Sequence, residues 1–331
     1  MSSIPVERPK VSNVNRINYH DISRASLEFT ISNIDARFSN SLRRFLIAGE
    51  IEVWSLKVDK IKQDTSYSYI YDYELRDIIE MLNLNNELFT DDEYAKMKFR
   101  LHIVSPNTMR YFVYGKHINF YVDGKKVDTT KQPLVSRESY LFDVHNTVNI
   151  NITGRAVKGS FKKTSNGMFK PICSRLIWNK DNKKDDTWNI RVFSNGKLYP
   201  NTAFLKALDG MIERCQLIIG RLDDISNTDM NYDRKVTITS SLNSKNWDIT
   251  VYRETLNIGN AIYSEMYKLV PDGNVRILEC EIPSDPVGYI RFTVSKKQYE
   301  SINDTTNLFK ESIERTIKKI EFLRDSFNDA F

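Results

Sequence analysis

Residues 27–46 read LEFTISNIDARFSNSLRRFL, and residues 247–266 read WDITVYRETLNIGNAIYSEM. Set against each other at a constant offset of 220 residues, the two stretches carry one pattern. Leu27, Phe29 and Ile31 alternate with polar residues, as do Trp247, Ile249 and Val251. That period of two marks a half-buried strand. A short polar link follows in each, then a helix. Phe38, Leu42, Phe45 and Leu46 share one face of the first helix; Ile258, Ile262, Met266 and Leu269 share one face of the second. Ser39-Asn40 and Gly259-Asn260 stand at matching places near the helix starts, where small and Asn residues relieve unpaired backbone N–H groups.

Strand–helix units are common, so a second correspondence adds weight. Each half later carries a long amphipathic helix. Over 202–223, Leu205, Leu208, Met211, Ile212, Cys215, Ile218, Ile219 and Leu222 form one stripe. Over 307–327, Phe309, Ile313, Thr316, Ile320, Leu323 and Phe327 step alternately by four and three, the spacing of helices packed along each other's length. Such stripes would equally cover a local sheet.

Between the strand–helix unit and the long helix of the first half lies an insertion, expected over 60–195. It holds a Tyr-rich stretch (Tyr67, Tyr69, Tyr71, Tyr73), a helix expected over 73–82, and strand-like runs at 99–104, 111–113, 117–122 and 147–152. Turn signals at 105–107 and 123–125 separate them, so the insertion reads as mainly β. Residues 226–234 are polar and aperiodic and read as a linker. The expected organisation is therefore α+β: a first unit over 1–59 and 196–225, the insertion over 60–195, the linker, and a second unit over 235–331.

Composition narrows the function. The chain has 331 residues, 40% hydrophobic and 27% charged, with a net charge of +5, the balance of a globular protein with a core. The span 151–184 carries nine Lys/Arg against one acid, a local +8, so the remainder is slightly acidic. For this basic stretch three readings stand: a solvated loop, a contact with a partner protein, or a nucleic-acid contact. Phe161, Phe169 and Trp178 lie within it at irregular spacing, which fits loop anchors better than base-stacking platforms. Cys173, Cys215 and Cys280 have no C-x-x-C spacing and build neither a disulfide framework nor a zinc site; a reducing compartment is expected. The opening MSSIPVERPKV lacks a signal peptide's apolar core, and no run long enough to span a membrane occurs.

Catalytic motifs are missing. His20, His102, His117 and His145 are far apart, and no H-E-x-x-H, G-x-S-x-G, G-x-G-x-x-G or Asp-x-Asp occurs. The nearest phosphate loop, 154–160, lacks the Lys that must follow its second Gly. No cofactor, metal or enzymatic activity of its own is expected.

The run 38–56, FSNSLRRFLIAGEIEVWSL, resembles the signature of RNA polymerase α-like subunits: the bacterial α subunit, the archaeal D subunit and the third-largest subunit of eukaryotic polymerase II. Asn40, Leu42, Arg43, Arg44, Glu50 and Ile51 match that pattern; Glu52 departs where the family usually has Pro. Lys158-Gly159 followed by Phe169-Lys170-Pro171 resembles the lysine–glycine loop closing the family's inserted domain. The helix from Ala203 through Leu222 resembles its final dimerisation helix. Residues 251–327 resemble the smaller partner, the archaeal L subunit or the eleventh subunit of polymerase II. Glu254-Thr-Leu-Asn-Ile-Gly-Asn260 stands in place of that family's Asp-His-Thr-Leu-Gly-Asn, one residue longer and without the His, and Pro271, Pro283 and Pro286 follow in the expected order.

The resemblance implies a non-catalytic assembly subunit whose two α-like units form an intramolecular pseudo-heterodimer. Leu42, Phe45, Leu208, Met211, Cys215 and Ile218 are expected to meet Ile262, Met266, Ile313, Ile317 and Ile320. Asn40, Arg43, Arg44 and Lys158 are the candidates for contact with the second-largest catalytic subunit, although a helical Arg pair is also an ordinary solvated face. The implied partners are the largest and second-largest RNA polymerase subunits and small polymerase subunits, with DNA met only through the complex and no membrane. Fusion of the two units resembles the arrangement in large cytoplasmic DNA viruses, which implies the virion and host cytoplasm; a cellular enzyme implies nucleus or cytoplasm. The competing reading is a stand-alone nucleic-acid-binding module using the basic 155–184 stretch.

Overall fold

Along the chain, β1 (Lys10–Ile17) and β2 (Ser26–Ser32) lead into α1 (Ala36–Ile47). Next come β3 (Val53–Asp64), α2 (Asp72–Glu80), α3 (Asp91–Lys96), β4 (Lys98–Ser105), β5 (Tyr111–Tyr114), β6 (Ile118–Val122), β7 (Lys125–Lys126), β8 (Tyr140–Val144) and β9 (Val148–Gly159). They are followed by β10 (Leu176–Lys180), β11 (Thr187–Phe193) and α4 (Pro200–Asp223), then β12 (Val236–Ser240), β13 (Asn246–Tyr252), α5 (Leu256–Leu269), β14 (Val275–Ile282), β15 (Asp285–Ser295) and α6 (Ile302–Ala330). This computed structural model describes residues 5–47, 51–64, 70–105, 110–145, 148–160, 167–172, 176–181, 186–223, 236–240, 245–270, 274–282, 285–297 and 299–331. Outside them lie the expected linker 226–234, Tyr67, Tyr69, Glu50, Pro271, Pro283, Cys173, Phe161, the turn at 106–107, and the basic residues Lys162, Lys163, Arg175, Lys183 and Lys184.

The architecture is mixed α+β. Two four-stranded antiparallel sheets have matching orders, β1-β2-β11-β10 and β12-β13-β15-β14. If β3 to β9 are set aside, each sheet is built from the same succession: two strands, a short helix, two strands, a long helix. The match extends to single residues. Phe29 pairs with Ile190, which pairs with Trp178; Ile249 pairs with Phe292, which pairs with Ile277. Over the Trp178 position lies Ser39, whose hydroxyl accepts from the indole Nε1 at 2.7 Å. Over the Ile277 position lies Gly259, where a Cβ would come within 2.9 Å of the Cδ1 atoms of Ile277 and Ile290. Ser39 and Gly259 are separated by the same 220 residues as the strands; both are small because the short helix presses on its sheet there.

The intervening segment forms its own layer. A five-stranded sheet has the order β3-β9-β4-β6-β7, β5 pairs with β8, and a separate core gathers Leu56, Leu75, Phe99, Phe120 and Ile152. Edge strand β3 is closed by side chains. Asn86 accepts from the Trp54 N–H at 2.5 Å and donates to its carbonyl at 3.0 Å, while Glu80 and Arg76 take the Val58 N–H and carbonyl at 2.9 and 2.5 Å. Filling these groups blocks another strand from pairing there. Helix α3 starts with a capping box, Thr90 with Glu93.

One expectation needs correction. The insertion is narrower than 60–195. Its sheet begins at Val53, because β3 continues through residue 60 with a bulge between Val58 and Lys60, and it ends at Gly159. Residues 176–180 and 187–193 instead complete the first sheet as β10 and β11. The run 154–160, set aside as a phosphate loop for want of a Lys, lies along strand β9 as far as Gly159. Gly154 is needed there because a Cβ would meet the Lys57 carbonyl oxygen at 2.1 Å.

Candidate inter-half and partner interface

Helix α1 packs against α5, and α4 against α6, so each helix meets its counterpart from the other half. One hydrophobic core runs through both sheets and all four helices. Leu42, Phe45, Leu208, Met211, Cys215, Ile218, Ile262, Met266, Ile313 and Ile320 are buried in it, and Ile317 packs against it half-buried. Helix α6 begins at a Ser301–Asp304 capping box and spans about 43 Å at 1.5 Å per residue. Phe309 near its start meets Phe292 of the second sheet at 5.1 Å. Phe327 near its end meets Phe29 and Phe204 of the first half at 5.5 and 4.7 Å. The C-terminal end of the same helix also covers β1, where the Val11 N–H donates to the Ser326 hydroxyl at 2.9 Å.

A buried ion network crosses between the halves. Asp35 caps α1: one carboxylate oxygen accepts from the Arg37 and Phe38 N–H groups at 2.9 and 3.0 Å. Its other oxygen accepts from the Ser264 hydroxyl and from Lys319 Nζ, the latter at 3.4 Å. Lys319 is fully buried and also reaches Glu265 at 3.1 Å, which is fully buried as well. Lys268 joins Glu265 at 3.2 Å and Glu7 at 2.7 Å, and Arg315 joins Glu265 at 3.4 Å. The Lys319 ammonium lies 4.7 Å from the centre of the Phe38 ring. Burial opposes ionisation of both acids, yet the Lys319 charge, aided by the Ser264 hydroxyl at Asp35 and by Lys268 at Glu265, holds both carboxyls below their ordinary range. Burial likewise opposes the Lys268 charge, but Glu7 and Glu265 raise its pKa.

A second, smaller cluster lies at the corresponding place in the other half. Glu254, 1% exposed, stands just before α5 and reaches Arg214 and Arg221 of α4, each at 3.5 Å. Arg221 also donates to the Tyr252 carbonyl at 3.4 Å. Burial first, and Glu254 second, push up the pKa of the Cys215 thiol, leaving it an inert apolar filler. In both clusters an acid at the entrance to a short helix meets cations on the long helix of the other half.

The expected partner-contact residues fall on two elements. On α1, Asn40 Oδ1 accepts from Arg43 Nη2 at 2.9 Å and Nε at 3.3 Å, an i,i+3 pair that lays the half-buried guanidinium along the helix; Arg44 is exposed. Lys158 is on β9 and is engaged within the insertion: its Nζ donates to Asp91 at 2.6 Å, and the other Asp91 oxygen accepts from Trp54 Nε1 at 2.7 Å. These bonds hold the Asp91 carboxyl below its usual range. Gly159 and Phe169, quoted for the lysine–glycine loop, do meet: a Cβ on Gly159 would come within 2.8 Å of the Phe169 ring. Within the basic stretch, Arg155 pairs with Asp59 at 3.8 Å, Phe169 joins the main core, and Trp178 packs against it. Among the described residues no group of three or more His, Cys, Asp or Glu is placed to hold a metal, and no helix is long and apolar enough to cross a membrane.

Sequence reasoning passed over Asp35, Glu254, Glu265, Arg214, Arg221 and Lys319. One signal was available: Glu265 occupies the seventh place after Ile258 on an otherwise apolar helical stripe, where a charge needs a buried partner. No curated protein matches the chain in sequence. The RNA polymerase Rpb3/Rpb11 dimerisation domain family matches residues 28–215, from β2 of the first sheet through the insertion and most of α4, and with more than half of its length so matched the chain belongs to that family.

Proposed function

We propose that this RNA polymerase assembly subunit carries both partners of the family's dimer in one polypeptide, an archaeal D-type unit followed by an L-type unit. The observation that carries this reading is the second sheet, with its short and long helices: it lies outside residues 28–215, yet repeats the order and residue register of the first. A linker across 226–234 would hold the two units at about mM effective concentration, so each unit needs little intrinsic affinity and their ratio is fixed at one to one.

In this reading the first unit docks the second-largest catalytic subunit, with the largest subunit and small subunits joining the same platform. Asn40, Arg43 and Arg44 present a planar, charged fork suited to carboxylates or carbonyls of a partner. Lys158, tied to Asp91, supports the insertion's shape more than it offers a free charge. The chain supplies no catalytic group, and this docking platform meets DNA only through the assembled enzyme. The fused arrangement fits a large cytoplasmic DNA virus, with the virion and host cytoplasm as its location.

The test is affinity purification of the full chain from its native source. Recovery in a stable complex with very large polymerase subunits is expected, and recovery as a lone monomer would refute the reading. Arg43→Glu with Arg44→Glu is expected to abolish incorporation while the chain's own unfolding stays within about 0.5 kcal/mol of the parent; unchanged incorporation removes the docking role from this pair.

A further inference from the structure

The outer faces of the two matched sheets differ in charge. On the first, Glu28 pairs with Arg191 at 3.0 Å, and Thr30 donates to Asn189 at 2.9 Å, a neutral polar surface. One end of the second opens into a cleft of about 830 Å³ whose rim carries Lys245, Arg276, Lys296 and Lys297. Among the described residues, none of those lining this cleft is acidic. The nearby Asp248 carboxylate accepts from the Thr293 hydroxyl at 2.8 Å. Lys296 donates to the Ser240 hydroxyl at 2.6 Å and lies 4.3 Å from the centre of the Trp247 ring, contacts that fix its ammonium without neutralising it. Cations gathered around a concave surface focus their field into it.

From this arrangement we infer that the cleft binds the phosphodiester backbone of nucleic acid without reading sequence. Three of the four cations are lysines, compact charges that accept phosphate oxygens from many directions. Asn246 and Asn274 add amide donors at the rim. An acidic peptide is the poorer fit, because stable peptide docking needs a buried apolar anchor, and Val275, the apolar side chain lining the cleft, is only 4% exposed. The ring nearest the cations, Trp247, is covered by Lys296, so bases find no stacking platform. The site is separate from the basic 155–184 stretch and belongs to the half outside residues 28–215. It gives the isolated chain a nucleic-acid contact of its own, whatever the chain assembles with.

The experiment measures fluorescence anisotropy of a labelled mixed-sequence duplex of about 20 base pairs with the purified full chain. Four phosphate contacts predict an affinity loss of about 100-fold between about 50 and about 200 mM salt, and equal affinity for a scrambled sequence. Lys245→Glu, Arg276→Glu and Lys297→Glu together, all at exposed positions, are expected to weaken low-salt binding at least about 10-fold. Lys57→Glu, Lys125→Glu and Lys126→Glu, an equal charge change at exposed positions on the insertion, should leave binding unchanged. If the triple cleft variant does not fold, Lys297→Glu alone should still flatten the salt dependence by about one phosphate contact. Cleft variants that bind as the parent does would overturn the proposal. Displacement of the duplex by polyglutamate of matched charge at an equal or lower concentration would also overturn it, in favour of an acidic protein partner.

Discussion

The two ion clusters joining the halves occupy related places but differ in chemistry. Around Glu265, three acids (Glu7, Asp35 and Glu265) and three cations come together, and Glu265 and Lys319 are wholly removed from solvent. Around Glu254, one buried acid meets two arginines whose side chains are 27% and 14% exposed. The apolar parts of the interface could suit either half paired with itself, since both present aliphatic and aromatic stripes. The charges could not. Asp35 stands 220 residues before Thr255, and Ser264 and Glu265 answer to Arg44 and Phe45. A first half facing a copy of itself would bring Asp35 toward Arg44 and an apolar Phe45, with no fully enclosed acid–lysine pair. Shape makes the halves related, and charge makes their pairing heterotypic.

Removing one member of the larger cluster should have the largest effect. Glu265→Gln keeps the volume but leaves Lys319 and Arg315 without their shared acid, and a loss of about 3–5 kcal/mol is expected. Chemical denaturation of the full chain, read through amide exchange in α5 and α6, measures it. The same cluster sets an acid limit. Asp35 and Glu265 titrate below their ordinary values of 3.8 and 4.5 when folded. Their contribution is therefore complete above those values and is lost as pH falls through the lower, folded ones. The parent should lose stability steeply below about pH 4, and Glu265→Gln less steeply; equal acid sensitivity would show that the network does not link the halves. Glu254→Gln should cost less, about 2 kcal/mol, because partly exposed arginines recover water when their acid is lost.

How much of this the sequence disclosed follows from how far each interaction reaches along the chain. The stripes of α4 and α6 and the strand alternation at Leu27, Phe29 and Ile31 are local, so these helices and strands and their apolar faces could be read directly, whereas which unit each face meets was implied only by the family resemblance. Strands β10 and β11 could not. Trp178, Ile190 and Val192 point inward, but Asn179, Lys180, Asn189 and Arg191 between and beside them read as basic, polar loop. The first unit was therefore cut too short and the insertion made too long. The ion network is the extreme case: Asp35 and Lys319 are 284 residues apart, and no local period ties them.

The equivalence of Ser39 and Gly259 offers a subtler test of the relation between the halves. Ser39→Ala removes the acceptor for Trp178 Nε1 and should cost about 1.5 kcal/mol. Gly259→Ala gains about 1 kcal/mol of helix propensity, yet its Cβ must displace two isoleucine methyl groups, for a net loss of about 1 kcal/mol. Thermal unfolding of both variants checks this. A stabilised Gly259→Ala chain would mean that α5 does not press on its sheet as α1 does.

The smallest effect lies at the joint between the first sheet and the insertion. Lys197 is 1% exposed and donates to the Ser55 hydroxyl at 3.3 Å and to the Met168 carbonyl, tying the entrance of α4 to β3. Burial draws its pKa down to about 7 from an ordinary 10.5. Between those values the unfolded chain holds a proton that the folded chain does not, so folding becomes more favourable as pH rises from 7. Lys197→Met fills similar space without a titrating group. The stability difference between parent and variant should therefore shift toward the parent by up to about 1 kcal/mol between pH 7 and 8, measured by denaturant midpoints at each pH. The opposite slope, with the parent losing ground as pH rises, would mean that the lysine is held charged by its two acceptors, and that this joint, like the Glu265 cluster, depends on a buried cation.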